Sequence, residues 1–495
     1  MERLSLATLG RLPTTVRRPG FDPRSLEVGI VHLGLGAFHR AHQALYTQEA
    51  IAVHPGAWGI CGVIPRSPDV RPSLLPQDNL YTLVERTADG VTARIIGTER
   101  EVLYAPAEPE AVTARIAAPT TKVVTLTITE KGYCLDPASG RLNEAHSEIV
   151  HDLTDAGTPL TAIGQLARGL AARRQQHGGK LTILSCDNIM ENGHAIDHAL
   201  TRFLELADRE LGRWVADNVT FPCSMVDRIV PAATEASLHQ AEQQTGLRDE
   251  AAIVCESFRQ WVIEDRFAAE RPAWDAVGAM LVRDVVPYET MKLRLLNGSH
   301  SALAYLGYLS GDQTIAQAIG EPSLRALVAR MMEDEVSPTL VVPAGVDLAA
   351  YRGQLLQRFA DPGLAHRTWQ IAMDGSQKLP PRLLAPIRSR LAKGQSFDCL
   401  ALAVAGWMRY VIGVDESGNP IDVVDPQADR LRRIAGEVGR DAPALVERFG
   451  AITEIFGDLG RSPVFTAAVS GWLASLFALG VRATLAKAAS ETRHA

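Results

Sequence analysis

Cysteine is scarce in this chain and scattered. Six thiols (Cys61, Cys134, Cys186, Cys223, Cys255 and Cys399) are spread singly over 495 residues, with no C-x-x-C pair. That pattern excludes a disulfide scaffold, offers no zinc-site spacing, and leads us to expect reduced thiols in a cytoplasmic protein with no metal. Charge of one sign is also missing: 50 Lys+Arg against 57 Asp+Glu leave −7, with pI near 6.0. A nucleic-acid binder would carry a basic patch or stripe, so nucleic acid is not an expected partner. Forty Gly and 28 Pro fall well short of a low-complexity composition. Residues 1–20 contain arginines but no apolar core of a secretory signal. One uncharged run needs weighing as a membrane span: Val464 to Val481, 18 residues interrupted by Thr466, Ser470, Gly471, Ser475 and Gly480. Ser462-Pro463 in front of it suits the start of a soluble helix, so a buried C-terminal helix is expected and no membrane partner.

What is present reads as a soluble chain of two or three domains, since this length exceeds one ordinary core. Glu27–Leu33, Trp58–Ile64, Lys122–Thr129 and Leu181–Ser185 are short, apolar and β-branched, and Leu160–His177 between the last two has helical spacing. Strands alternating with helices imply an α/β, Rossmann-like domain with a mostly parallel sheet. After about residue 285 the strand-like runs become rare. Met291–Leu309, Ser323–Met332, Pro381–Leu391, Leu400–Val411 and Val464–Leu485 read as helices. Val285-Val286-Pro287 interrupts the pattern. The expected division is residues 1–285, dinucleotide-binding, and 286–495, mainly α-helical and substrate-binding, with the cleft between them as the ligand site.

The first strand runs into Gly34-Leu35-Gly36-Ala37-Phe38-His39-Arg40 and then helix-compatible Ala41–Ala50. Strand, glycine turn and helix bring a pyrophosphate to bare backbone at a helix start. Gly34 would permit the tight turn, Gly36 the close approach of phosphate, with Ala37 and Phe38 at the helix start. His39 stands where a third glycine is usual. At the end of the second strand, Arg66 suits a 2′-phosphate and Asp69 a ribose hydroxyl, so NAD and NADP both remain open; either residue also reads as an ordinary solvated one.

The most informative segment is Tyr288 to His300. At about 100° per residue, with Lys292 as zero, Glu289 falls near 60°, His300 near 80° and Asn297 near 140°. A desolvated lysine suits proton transfer, and an asparagine N–H suits a developing alkoxide. Glu289, one turn earlier, suits a proton relay. Asn188, after strand Leu181–Ser185, is a second oxyanion donor at the carboxyl edge, although Asp187-Asn188 also suits a helix cap. Asp227 suits substrate hydroxyls or an ion pair with a nearby arginine.

Lys292-x4-Asn297-x2-His300, together with Gly34-Leu35-Gly36-Ala37-Phe38-His39-Arg40-Ala41-His42, resembles the long-chain polyol dehydrogenase family, over Ile30 to about Gln427. The resemblance implies metal-free hydride transfer with Lys292 as general acid/base and Asn188 and Asn297 as the oxyanion site. It also implies substrate contacts at Asp227, His300 and Lys378, and a relay at Glu289. Thr129–Cys134, Phe221–Asp227, Arg367–Lys378 and Gly406–Tyr410 are more similar to fructuronate-reducing members than to mannitol-oxidising ones. The latter carry glycine at Lys131 and arginine at Gln370. Selecting a sugar acid requires a cation, because an unpaired carboxylate in a cleft is costly. Lys131, at the end of strand Lys122–Thr129 and aided by Lys378, is expected to receive it, unless Lys131 pairs with Glu130. The expected activity is NAD-dependent, reversible reduction of D-fructuronate to D-mannonate; the alternative is a mannitol-type polyol or ketose oxidoreductase. No oligomeric state is selected, monomer included.

Overall fold

The computed structural model describes every residue except 68, 69, 88, 89, 137, 138, 155, 156, 365 and 492–495. The chain forms two compact units, Met1–Val286 and Pro287–Ala495. The strands are β1 (Val28–Leu33), β2 (Gly59–Ile64), β3 (Tyr81–Thr87), β4 (Gly90–Ile96), β5 (Glu99–Tyr104), β6 (Val123–Leu126), β7 (Leu181–Ser185), β8 (Val219–Thr220), β9 (Ser224–Asp227), β10 (Ile253–Glu256), β11 (Gln260–Glu264) and β12 (Met280–Val282). Six of them make one parallel sheet in the order β5-β2-β1-β6-β7-β8. Every residue of β1, β2, β6 and β7 is buried, which is why these segments read as unbroken apolar runs: both faces of a parallel sheet are covered. Two three-stranded sheets, β10-β3-β4 and β12-β11-β9, complete the unit. β3, β4, β9, β10 and β11 mix charged and apolar residues and β12 is only three residues long, and the sequence pattern missed them.

Arg173 shows how the sheet is held in register. It lies on helix Ala162–Gln175 with no solvent exposure. Its guanidinium donates to the carbonyls of Ile116, Ala118, Thr121, Gly178, Gly179 and Lys180, at 2.6–3.0 Å. Those carbonyls belong to the chain entering β6 and β7, so one buried cation fixes where both strands begin.

The second unit contains no strand among its described residues. Helix Asp398–Val411 is buried from Cys399 to Val411, as befits a helix apolar all round. The apolar C-terminal run forms helix Pro463–Leu479, started by Ser462 as expected, and stops at Gly480 (φ 77°) before a second helix, Val481–Glu491. Phe465, Val469, Leu473 and Leu476 of the first join the unit's core. Among the described residues, no helix is long and apolar enough to cross a membrane.

Three expected helices depart from α geometry. Lys292–Asn297, Met331–Val336 and Pro380–Leu384 are π-helical stretches inside longer helices. The helix expected at Ala41–Ala50 is also interrupted: Ala37–Ala41 ends at His42, and Gln43–Val53 follows.

Removing the Arg173 donors strands several buried carbonyls at once, so Arg173→Met should cost about 3–5 kcal/mol. Urea unfolding of the purified variant measures this; a loss below about 1 kcal/mol would contradict the role.

Candidate active site

In the first unit, Gly34 has φ 104°, and a Cβ there would lie 2.2 Å from the Thr127 carbonyl. Only glycine lets β1 turn this close to the chain leaving β6. The Gly34 and Leu35 N–H groups donate to the Val63 carbonyl, and the Gly34 carbonyl accepts from Thr127 Oγ1 at 2.8 Å. Gly36 differs. It is exposed, and a Cβ there would meet only the Gly34 carbonyl, at 3.6 Å. The space beside it is open, and no side chain caps the helix that starts at Ala37 and Phe38. Bare backbone, open space and an uncapped helix start fit a dinucleotide phosphate.

His39 replaces the third glycine with a different solution. It is fully buried, stacks on His32 with ring centroids 3.4 Å apart, and has Nε2 3.0 Å from Glu99 Oε1. Burial drives His39 down to about 3 and His32 well below its ordinary value, and pushes Glu99 up to about 8. Both imidazoles are therefore neutral near pH 7 and the Glu99 carboxyl is largely protonated, which leaves the buried Arg40 guanidinium as the charged neighbour of this group. The sequence named His39 only as a departure, and Glu99 gave no signal, because a partner 60 residues away is a tertiary fact.

Arg66 is exposed and ion-paired with Glu148 at 2.7 Å. Asp69 lies outside the described residues.

The carboxyl edge of β6 and β7 is organised by Asp187. Its carboxylate accepts from the Ile128 N–H (3.0 Å), the Thr129 N–H (2.7 Å) and the Tyr133 hydroxyl (2.8 Å). Asp187 therefore does not cap the following helix; it ties the two strand ends together. Burial, the largest influence, raises its pKa despite those donors. The strand expected over Lys122–Thr129 stops at Leu126, because Asp187 takes the Ile128 and Thr129 N–H groups and Thr129 turns to φ 64°. Lys131 consequently sits exposed on a helical turn, Thr129–Gly132, not on a strand end. Asn188 is exposed beside Asp187.

Asn192, which the sequence did not single out, is fully buried and donates to the carbonyls of Asp187 (2.9 Å) and Ser224 (2.7 Å). Its amide oxygen accepts from the Ser224 N–H at 2.9 Å. This amide joins the end of β7 to β9, whose last residue is Asp227, also buried. Arg228 next to it pairs with Glu85.

In the second unit, the segment around Lys292 corrects the simple helical wheel. Helix Val286–Met291 carries Glu289, the π stretch Lys292–Asn297 follows, and α geometry resumes at Gly298 with His300. A π-helix bonds residue i to i+5, so residues five apart stand about one turn apart. Asn297 therefore comes under Lys292, where α geometry would have left it about 140° away. Glu289, Lys292, Asn297 and His300 are all buried, none more than 8% exposed. His300 packs against Phe359 and edge-on to His366. Burial, then His366, Arg358 and Arg382, holds its pKa well below the usual value, so the ring is neutral. His366 was not foreseen. Lys378, on helix Gly375–Leu379, donates to the Met373 carbonyl at 2.6 Å and lies 3.9 Å from Asp374.

Comparison with known proteins shows what the whole chain is similar to. Residues 28–276 match the mannitol dehydrogenase Rossmann domain, and residues 284–477 the mannitol dehydrogenase C-terminal domain. D-mannonate oxidoreductase of Escherichia coli is 48% identical, over 90% of this chain and 96% of its own. The mannitol 2-dehydrogenase of Pseudomonas fluorescens, solved as a ternary complex with NAD and D-mannitol, superimposes with a TM-score of 0.88 at 37% identity, covering 99% of each chain. A D-sorbitol dehydrogenase, solved substrate-free, gives 0.89 at 31% identity, covering 97% of this chain and 100% of its own.

The protonated Glu99 has a measurable consequence. Its pKa rises from 4.5 to about 8 on folding, so its stabilising contribution is full below about 4.5 and is lost as pH climbs toward 8. Glu99→Gln keeps the neutral form at every pH. The Tm advantage of the variant should therefore grow between about pH 5 and 8; parallel Tm–pH curves for the two proteins would refute a neutral Glu99.

Proposed function

Because the chain belongs to the mannitol dehydrogenase family and is an oxidoreductase acting on CH–OH groups, we propose that it interconverts D-fructuronate and D-mannonate with NAD as coenzyme. The observation that supports this reading most is the π-interrupted helix, whose five-residue turn would put Asn297 on the side of the buried Lys292. Lys292 gives its proton to the ketone oxygen in reduction and takes it back in oxidation. The amide N–H groups of Asn297 and Asn188 steady the charge growing on that oxygen, and such donors act only as charge develops. Glu289, one turn before Lys292, passes the proton between the amine and water. His300, neutral by burial, both donates to and accepts from a sugar hydroxyl, and Asp227 accepts from another. No metal enters this scheme.

NAD, when bound, supplies or accepts the hydride. Gly34, Gly36, Ala37 and Phe38 would hold its pyrophosphate, with Arg66 near the adenosine end. The Arg66–Glu148 pair favours NAD over NADP, because a 2′-phosphate would have to displace a carboxylate already on the guanidinium.

Two features support a sugar acid as substrate: the 48% identity to a D-mannonate oxidoreductase, and an exposed Lys131 beyond β6. Lys378 is engaged by Met373 and Asp374, which leaves Lys131 the better cation for the carboxylate. The second reading, oxidation of a polyol of the mannitol kind, draws on the near-complete superposition with the Pseudomonas fluorescens enzyme.

Lys292→Ala should lower kcat for fructuronate reduction by about 10²–10⁴-fold while NADH binding, followed by fluorescence, stays unchanged. Undiminished turnover would exclude the lysine from proton transfer. Lys131→Gly should lower kcat/KM for fructuronate about tenfold, as expected for one lost charge-assisted hydrogen bond, and leave fructose reduction unaltered. Equal losses on both substrates would remove Lys131 from carboxylate recognition, and a wild-type enzyme that prefers fructose would favour the second reading.

A further inference from the structure

Three elements of the first unit converge on a cluster that the proposed reaction does not use. A ring nitrogen of His194, the sulfur of Cys223 and a carboxylate oxygen of Glu264 lie within 4.8 Å of one another. His194 sits in the first turn of helix Asn192–Ala207, Cys223 directly precedes β9, and Glu264 ends β11. Cys223 and Glu264 are buried, and the His194 side chain is 41% exposed, so the cluster opens to solvent on the imidazole side.

The backbone fixes this arrangement. The Cys223 N–H donates to Glu264 Oε2 at 3.0 Å, and the Glu264 N–H donates to the Cys223 carbonyl at 3.0 Å. Gly193 brings the helix start so close that a Cβ there would lie 2.6 Å from the carbonyl oxygens of Phe221 and Pro222. Glu191 Oε1 lies 3.2 Å from His194 Nδ1. A carboxylate on Nδ1 sets the tautomer, leaving the Nε2 lone pair for a ligand, as in carboxylate–histidine–metal arrangements. Arg266 reaches Glu264 Oε2 at 3.6 Å from a mostly exposed position.

We propose that His194, Cys223 and Glu264 bind a divalent cation of the zinc type. One imidazole, one thiolate and one carboxylate are the donors such ions prefer, and three protein ligands leave a fourth position for water. On binding, the Cys223 S–H bond breaks, its proton goes to solvent, and the sulfur lone pair forms the metal–sulfur bond; nothing is oxidised or reduced. The ion clamps the start of helix Asn192–Ala207 to β9 and β11. The site lies wholly within the first unit and does not rest on the function proposed above. A second group, Cys134, His146 and Glu148, has similar donors, but its carboxylate is held by Arg66 at 2.7 Å.

Cobalt(II) is the probe, added to the full-length chain after exhaustive chelation. A thiolate-to-cobalt charge-transfer band should appear in the near ultraviolet, saturate at one equivalent, and vanish on addition of zinc. Cys223→Ser should abolish the band. His194→Ala, at a half-exposed position that the fold does not need, should weaken cobalt binding about tenfold or more. Absence of the band in the wild type would overturn the site. So would a band that survives in Cys223→Ser and disappears in Cys134→Ser, which would give the metal to the other cluster.

Discussion

A primary ammonium kept nearly out of water is the constraint around which the second unit is built. Lys292 is only 8% exposed, and a charge so placed costs several kcal/mol unless polar groups meet it. The helix gives up regular geometry for six residues here, and the five-residue spacing of a π turn brings Asn297 to nearly the same side as the lysine. Such a stretch persists only where its surroundings over-determine it. Here they do. The Lys292–Asn297 segment packs against the two other π stretches, Met331–Val336 and Pro380–Leu384. Arg294 donates to Thr339, and Arg382 donates to the Ser301 hydroxyl. Gly298 permits the close approach, since a Cβ there would already press on the Arg382 carbonyl at 3.1 Å.

Beneath the glycine turn, the first unit handles a buried carboxyl in the opposite way, by keeping it neutral. An ionised Glu99 beneath the glycine turn would oppose an anionic pyrophosphate above it through a medium that screens poorly. With its pKa raised to about 8, Glu99 is neutral at physiological pH, and the His32–His39 stack adds no charge of its own. The turn is thus filled by side chains where a third glycine would otherwise let helix and strand touch directly. Asp187 follows a related logic on the neighbouring edge, where two backbone N–H groups and a phenol surround its carboxylate.

The sequence was most legible where one signal sufficed. β1, β2 and β7 are continuous apolar runs ended by turns, and their observed bounds differ by a residue at most from the expected ones. Lys292, Asn297 and His300 stood out because three chemically capable residues recur within one segment. Legibility failed where the deciding contact was distant in sequence. Nothing local announces that Asp187 will take the N–H groups of Ile128 and Thr129 and so end β6 early. Nor does it announce that Asn192 will bridge β7 and β9, or that residues 194, 223 and 264 will meet. Two of the π stretches, Lys292–Asn297 and Met331–Val336, escaped for another reason: their residues carry no helix breaker, and packing by neighbours selects the wider turn.

In the proposed reaction, catalysis and substrate preference would rest on different physical footings. Lys292 and Asn297 are buried on a braced helix, so their interactions are strong and fixed in direction, and they suit any CH–OH substrate alike. Lys131 is exposed on a single helical turn, where an ion pair contributes no more than about 1 kcal/mol unless the partner also leaves water. A sugar carboxylate held there gains roughly a factor of five to ten from the pair alone. Rejecting a neutral ketose by several further orders of magnitude would need buried donors left unpaired when the carboxylate is missing. An exposed ammonium is not such a donor, because water satisfies it when substrate does not. A preference for an acid resting on Lys131 would therefore be graded, and some activity toward the matching polyol would be the expected companion of the proposed Lys292 chemistry.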